Sequence, residues 1–118
     1  ALPADATALR DWMLALAADG TYDELLAALS AAEWMYRTWC TDAGDATRHP
    51  IVTEWIDMHA APAFADQVSW MLDELNQHGP QLSAGDRDRL RALFRRTLEL
   101  EIEFHHAAYT TPVTQTNR

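Results

Sequence analysis

Not one lysine occurs among the 118 residues, so all nine basic charges are arginines, set against 18 carboxylates for a net charge of −9. Such a balance repels polyanions and argues against a nucleic-acid partner, which needs clustered positive charge. The one dense basic run, Arg87, Arg89, Arg91, Arg95 and Arg96, is matched by acidic neighbours on one predicted helix and reads as a solvated face. A single cysteine, Cys40, excludes an internal disulfide, and no basic segment leading into an apolar run marks a signal peptide. Every apolar stretch is interrupted by Asp, Glu, Arg or Gln well short of the roughly 20 residues a membrane span requires. The expectation is a soluble protein of the reducing cytoplasm. Strand-like alternation and internal repeats are missing as well, which leaves helical periodicity as the organising pattern.

Nearly half of the residues are apolar, enough for one core without a disulfide or structural metal, so residues 1–118 read as a single domain. Leu9, Trp12, Met13 and Leu16 recur at helical spacing up to Gly20. Thr21 and Glu24 have the form of a capping box opening a second helix that runs to about Cys40. Leu25, Leu29, Ala32, Tyr36 and Trp39 share one face of it, with Glu33 one turn after Leu29. Ala27, Ala28, Ala31 and Ala32 narrow that helix, which permits either close packing or room for a ligand. Residues 41–48 read as an exposed loop.

His49-Pro50 opens a short third helix with Ile51, Trp55, Ile56 and His59 on or near one side, and Pro62 restarts the chain. Phe64, Val68, Met71, Leu72 and Leu75 mark a fourth helix that ends at His78-Gly79-Pro80, where Gly79 is expected to form a left-handed cap. Ser83 caps a fifth helix extending to about Tyr109, and the tail over 110–118 is expected to fray. The class is all-α, an antiparallel bundle of about five helices whose short connections favour neighbours in sequence as neighbours in space. Trp12, Trp39 and Trp55 read as core or interface packing, Met13 and Met71 as core, and His49 and His78 as helix-end residues.

The fifth helix carries the chemical signal. Leu90, Leu93, Phe94, Leu98, Glu101, Phe104, His105 and Ala108 fall on one stripe, so a carboxylate and an imidazole interrupt an apolar face. A buried ionised carboxylate without a partner costs several kcal/mol, so Glu101 must be paired, protonated or set against a polar cavity. Glu101 and His105, four apart, could satisfy each other as a purely structural pair. Glu33, a second carboxylate on the apolar stripe of another helix, with Tyr36 one turn on, shifts the reading toward a polar cavity. Glu99, Glu103 and His106 are expected to turn toward solvent.

Several segments resemble, in order, the TenA (thiaminase II) family. Glu33-Trp34-Met35-Tyr36 is similar to the family's Cys-Glu-Trp-x-Tyr segment, and Leu100-Glu101-Ile102-Glu103-Phe104 to its Leu-Glu-x-x-Phe-Trp. Pro50-Ile51 through Trp55-Ile56, Ala61 through Phe64, and Val68 to Asp73 continue the match. The resemblance implies a haem-oxygenase-like helical bundle and a metal-free C–N bond cleavage on thiamin or aminopyrimidine breakdown products. It implies Glu101 as the acid/base at the leaving amine and Tyr36 as the hydroxyl that positions nucleophile and pyrimidine.

Three departures qualify what the resemblance implies. Ala32 stands where the family's nucleophilic cysteine would be, so Glu33 or Glu101 activating a water is the surviving route. His59 takes the approximate place of a family tyrosine that holds substrate, and His105 replaces the tryptophan after Phe104; Ala32, His59, Phe104 and His105 are therefore the expected substrate-contacting set. The chain also corresponds to the C-terminal half of the family fold, so a partial bundle completed by a second copy or a chain with the other helices is expected. No cofactor is expected. The alternatives are a haem-oxygenase-like di-iron oxidase, with Glu33, Glu101 and His105 as part of an iron site and Glu103-x-x-His106 at familiar ligand spacing, and a non-catalytic small-molecule binder.

Overall fold

A computed structural model describes residues 2–43 and 49–110. Five α-helices follow one another within them: α1 (Ala4–Asp19), α2 (Tyr22–Ala43), α3 (Pro50–Ala60), α4 (Pro62–His78) and α5 (Ala84–Thr110), with a 3₁₀ turn at Gly79–Gln81. The described residues contain no strand, and the all-α expectation holds. Of the loop expected over 41–48, Thr41, Asp42 and Ala43 instead continue α2, while residues 44–48, like the tail beyond Thr110, lie outside the described residues.

Local chemistry sets the helix ends. Thr21 and Glu24 form the reciprocal box: the Glu24 N–H donates to Thr21 Oγ1 at 3.2 Å and the Thr21 N–H donates to the Glu24 carboxylate at 3.1 Å. Ser83 accepts from the Asp86 N–H at 3.1 Å, and His49 Nδ1 accepts from the Ile51 N–H at 3.2 Å ahead of Pro50. Gly20 is extended, and a Cβ there would stand 2.5 Å from the Leu16 carbonyl oxygen that its own N–H bonds, so the exit from α1 needs glycine for closeness. Gly79 departs from expectation. Its φ and ψ are both −50°, right-handed, so the chain tightens into a 3₁₀ turn instead of stopping in a left-handed cap. The clash that keeps most residues before proline out of this region involves Cβ, which Gly79 lacks.

α2 is the hub, packing against α5, α4, α3 and α1, while α1 also lies along α5. Sequence neighbours were expected to be the main partners, yet α4 and α5 do not pack along their lengths and α1 meets α2 less than it meets α5. The reason lies on α2, where Ala27, Ala28, Ser30, Ala31 and Ala32 are all buried. Their small side chains let helices approach from several directions, so close packing is the use made of this stripe. Leu16, Ala27, Ala28 and Leu93 form the central cluster, with Trp12, Met13, Leu25, Leu75 and Leu90 against it. Trp12 Nε1 donates to Thr97 Oγ1 at 3.0 Å, and Thr97 donates to the Leu93 carbonyl at 2.9 Å, so that buried hydroxyl is satisfied across the α1/α5 contact.

Because α5 is flanked by both α1 and α2, its buried side is Leu93, Thr97, Leu100, Glu101 and Ala107. Phe104 and Ala108, placed on the inward stripe by spacing alone, are exposed, whereas Glu101 is inside as expected. Val68 and Met71 are buried on α4 as read, and no residue of α3 is buried. No helix among the described residues is long and apolar enough to cross a membrane.

Two polar groups in this frame generate measurable expectations. Ser30 Oγ is buried without a hydrogen-bond partner among the described residues, a burden of about 1–3 kcal/mol, so Ser30→Ala should stabilise the protein by about 1 kcal/mol in urea unfolding; a destabilised variant would show that a partner exists. His78 ends α4 as expected, and beyond the capping or solvent role read for it, its Nδ1 lies 2.6 Å from Asp23 Oδ1 with Glu74 3.8 Å from its other nitrogen. Its pKa is raised, chiefly by the Asp23 hydrogen bond, with burial opposing and the charges of Asp23 and Glu74 adding. The stabilisation is thus full below the ordinary histidine pKa and fades as pH rises through the raised folded value. His78→Gln should lower the melting temperature more at about pH 6 than at about pH 9, in thermal scans at both.

Candidate active site

α2 faces α5 and α3 at once, and this brings the chemically active side chains of three helices together. Tyr36 on α2 donates its hydroxyl hydrogen to Glu101 Oε2 on α5 at 2.7 Å. His105, one turn beyond Glu101, places Nε2 3.2 Å from the Tyr36 oxygen and 3.8 Å from Glu101 Oε2. A phenol has one hydrogen, so while it is given to Glu101 the histidine must donate to the phenol oxygen. The reverse arrangement, with Glu101 protonated and Tyr36 donating to His105, uses the same contacts. The three groups are therefore a short proton-transfer chain.

Burial governs the electrostatics. Glu101 is 3% exposed, and desolvation raises its pKa, opposed by the Tyr36 hydrogen bond and by positive charge on His105. Glu33, partly buried, is also raised, first by desolvation and further by the charge of Glu101, with His59 opposing. Tyr36 is pushed far above the ordinary phenol range by burial, then by its bond to Glu101 and the charges of both carboxylates, so it acts as a neutral hydroxyl.

Aromatic rings surround the cluster. Tyr36 stands edge-on to Trp39 and Trp55 at 6.3 and 5.6 Å, and His59 lies 5.9 Å from it, 4.4 Å from Trp55 and 5.0 Å from Phe64. His59 Nδ1 is 2.6 Å from the Trp55 carbonyl, which can only accept, so Nδ1 is the donor, and Nε2 has no hydrogen-bond partner among the described residues. Trp39, Trp55 and Phe104 are 40%, 38% and 40% exposed, so the rim of the site is open.

Of the residues singled out from sequence, Glu33, Tyr36, His59, Glu101 and His105 come together here, and Phe104 packs edge-on to His105 at 5.5 Å. Ala32 is buried next to Glu33 and offers no reactive group, while Cys40 lies buried one turn past Tyr36. Trp39 and Trp55, read as core or interface packing, pack edge-on around Tyr36, and Phe64 packs on His59 beside them. The available signal was spacing, since Trp39 follows Tyr36 by three residues and Trp55 precedes His59 by four. Glu101 was expected to face a cavity; instead Tyr36 and His105 cover it. The surface cavities on α3 and between α4 and α5 contain no residue of this cluster. Among the described residues no group of three or more His, Cys, Asp or Glu side chains is placed to hold a metal ion. Glu103 is tied to Arg96 on the surface and His106 is exposed, away from this cluster.

Fold and site together define an all-α protein with a buried carboxylate–phenol–imidazole cluster between its two longest helices. The chain belongs to the TENA/THI-4/PQQC family, whose model matches residues 3–111. It is 31% identical over 105 residues to an aminopyrimidine aminohydrolase of Halalkalibacterium halodurans, a match covering 86% of this chain and 47% of the relative. The chain thus spans about half the length of the curated relative it matches. No solved structure matches it significantly.

Tyr36 lowers the pKa of Glu101 by donating to its charged form, so Tyr36→Phe should move the Glu101 titration upward. Carbon-detected NMR titration of the glutamate carboxyls reads this directly, and an unchanged Glu101 would refute the hydrogen bond.

Proposed function

We propose that this chain carries the acid–base half of a TenA-type hydrolase that cleaves the C–N bond of an aminopyrimidine or related small amine. The observation that supports it is Glu101, a carboxyl group 3% exposed, bonded at 2.7 Å to a neutral phenol and covered by an imidazole. Family membership and the name of the matched relative point to the same class of reaction, of the thiamin-salvage type. In this reading one carboxylate, Glu33 or Glu101, takes a proton from water as the water oxygen bonds to the substrate carbon. The C–N bond breaks, and Glu101 delivers a proton to the departing nitrogen through Tyr36 or His105, the groups that cover it, so water is consumed and an amine or ammonia released. Burial raises both carboxyl groups above the ordinary carboxylate range, the direction that favours holding a proton.

Tyr36 orients the attacking water and, with His105, returns the proton to Glu101 between turnovers. The open rim of Trp39, Trp55 and Phe104 and the Nε2 of His59 receive the pyrimidine ring. Ala32 removes cysteine attack from this position, which leaves water as the nucleophile. No step is assigned to a cofactor. The exposed rim is completed by a second copy or by a chain supplying the remaining helices of the family fold.

Hydrolysis of aminomethylpyrimidine or formyl-aminopyrimidine, followed by amine release, tests the reading. Glu101→Gln should lower kcat by about 10²–10⁴ while circular dichroism and melting show the fold retained. Undiminished turnover in that variant rejects Glu101 as the acid/base. Native mass spectrometry of the purified protein tests completion by association, since a strictly monomeric active enzyme is incompatible with it.

A further inference from the structure

The gap between the end of α4 and the first half of α5 forms a groove of about 640 Å3, within the usual size range of small-molecule sites. It exists because α4 and α5, although joined by a short connection, splay apart and pack separately on α2. Leu75, Pro80, Leu82, Leu90 and Phe94 are left lining the space, with Arg87 on its wall. Arg87 Nη1 donates to the carbonyls of Gly79 at 3.3 Å and Leu82 at 3.0 Å, which pins the guanidinium at the turn.

Carboxylates outnumber arginines two to one in this chain, and Arg10, Arg89, Arg91, Arg95 and Arg96 each meet one. Arg87 makes no ion pair among the described residues. Among the described residues its partners are neutral carbonyls, so no carboxylate there pairs with its charge, and Nε and Nη2 donate to none of them. Arg91, at the same groove, is paired only with Asp88 at a fully solvated site, an interaction worth little and easily exchanged. A fixed cation at the edge of an apolar groove is complementary to an amphipathic anion. A polyanion would find one pinned guanidinium and an otherwise negative protein.

We propose that this groove binds a small monocarboxylate with an aryl or branched-alkyl body, the carboxylate on Arg87 and the apolar body on Leu75, Leu82, Leu90 and Phe94. The site is separate from the Glu101 cluster and does not depend on the hydrolase reading. Phe94 and Glu101 are seven residues apart on α5, or about 10 Å of helix rise.

The test is a titration of the ¹⁵N-labelled 118-residue chain with 4-phenylbutyrate and, separately, with 4-phenylbutylamine as the cation of similar shape. Saturable shifts of the Leu82, Leu90 and Phe94 amides with the carboxylate alone, leaving Tyr36 and Glu101 amides in place, are expected. Arg87→Gln, which keeps a donor for the turn carbonyls but not the charge, should weaken binding at least about tenfold. Leu82→Trp, which fills the groove and leaves the turn bonds intact, should do the same and decides the matter if Arg87→Gln fails to fold. Equal shifts with the amine, no shifts with the carboxylate, or undiminished binding in Leu82→Trp would overturn the proposal. So would a concentration-dependent dimer that already protects these three amides, since a second copy would then be the occupant.

Discussion

The 2.7 Å hydrogen bond from Tyr36 to Glu101 joins the two longest helices at the one carboxylate that α5 buries. A carboxyl group this buried would be expensive to ionise on its own. The phenol lowers that cost by donating to the charged form, and His105 adds a second proton carrier at 3.2 Å from the same oxygen. The shared contacts allow the proton to rest at either end of the chain of three. Acid–base behaviour and helix registration are therefore the same interaction seen from two sides.

That interaction is possible only because α2 presents small residues to its neighbours. With Ala27, Ala28, Ala31 and Ala32 buried, α5 and α4 approach α2 closely, and Tyr36, one turn past Ala32, reaches Glu101 on α5. The same crowding on α2 has a consequence elsewhere. Helices drawn separately to one hub need not pack on each other, and the splay of α4 from α5 leaves apolar side chains and a pinned guanidinium facing open space. One helix surface thus shapes both the Glu101 cluster and the groove some 10 Å away along α5.

The half-exposed Trp39, Trp55 and Phe104 belong with the family relationship. The chain aligns with 47% of its relative, and these three rings are exposed on it. Exposed aromatic rings around a buried carboxylate are suited to stacking on a planar heterocycle, and they are also suited to packing under further helices. Both uses follow from the same geometry.

Helical periodicity, the Thr21–Glu24 box, the Ser83 cap and the proline positions determined the five helices and most of their ends, because those signals are local and act within one turn. Glu101, Glu33 and Tyr36 were also legible, as polar interruptions on apolar stripes. Only the tertiary structure decided that the inward side of α5 runs through Thr97, Leu100 and Ala107 and leaves Phe104 outside, since two flanking helices, not one period, define that side. It alone decided that Trp39 and Trp55 pack edge-on around Tyr36, that His78 reaches Asp23, and that Glu101 lies beneath Tyr36 and His105. Each of these depends on where a second or third helix lies, and spacing along one strip of chain carries no information about distances across the bundle.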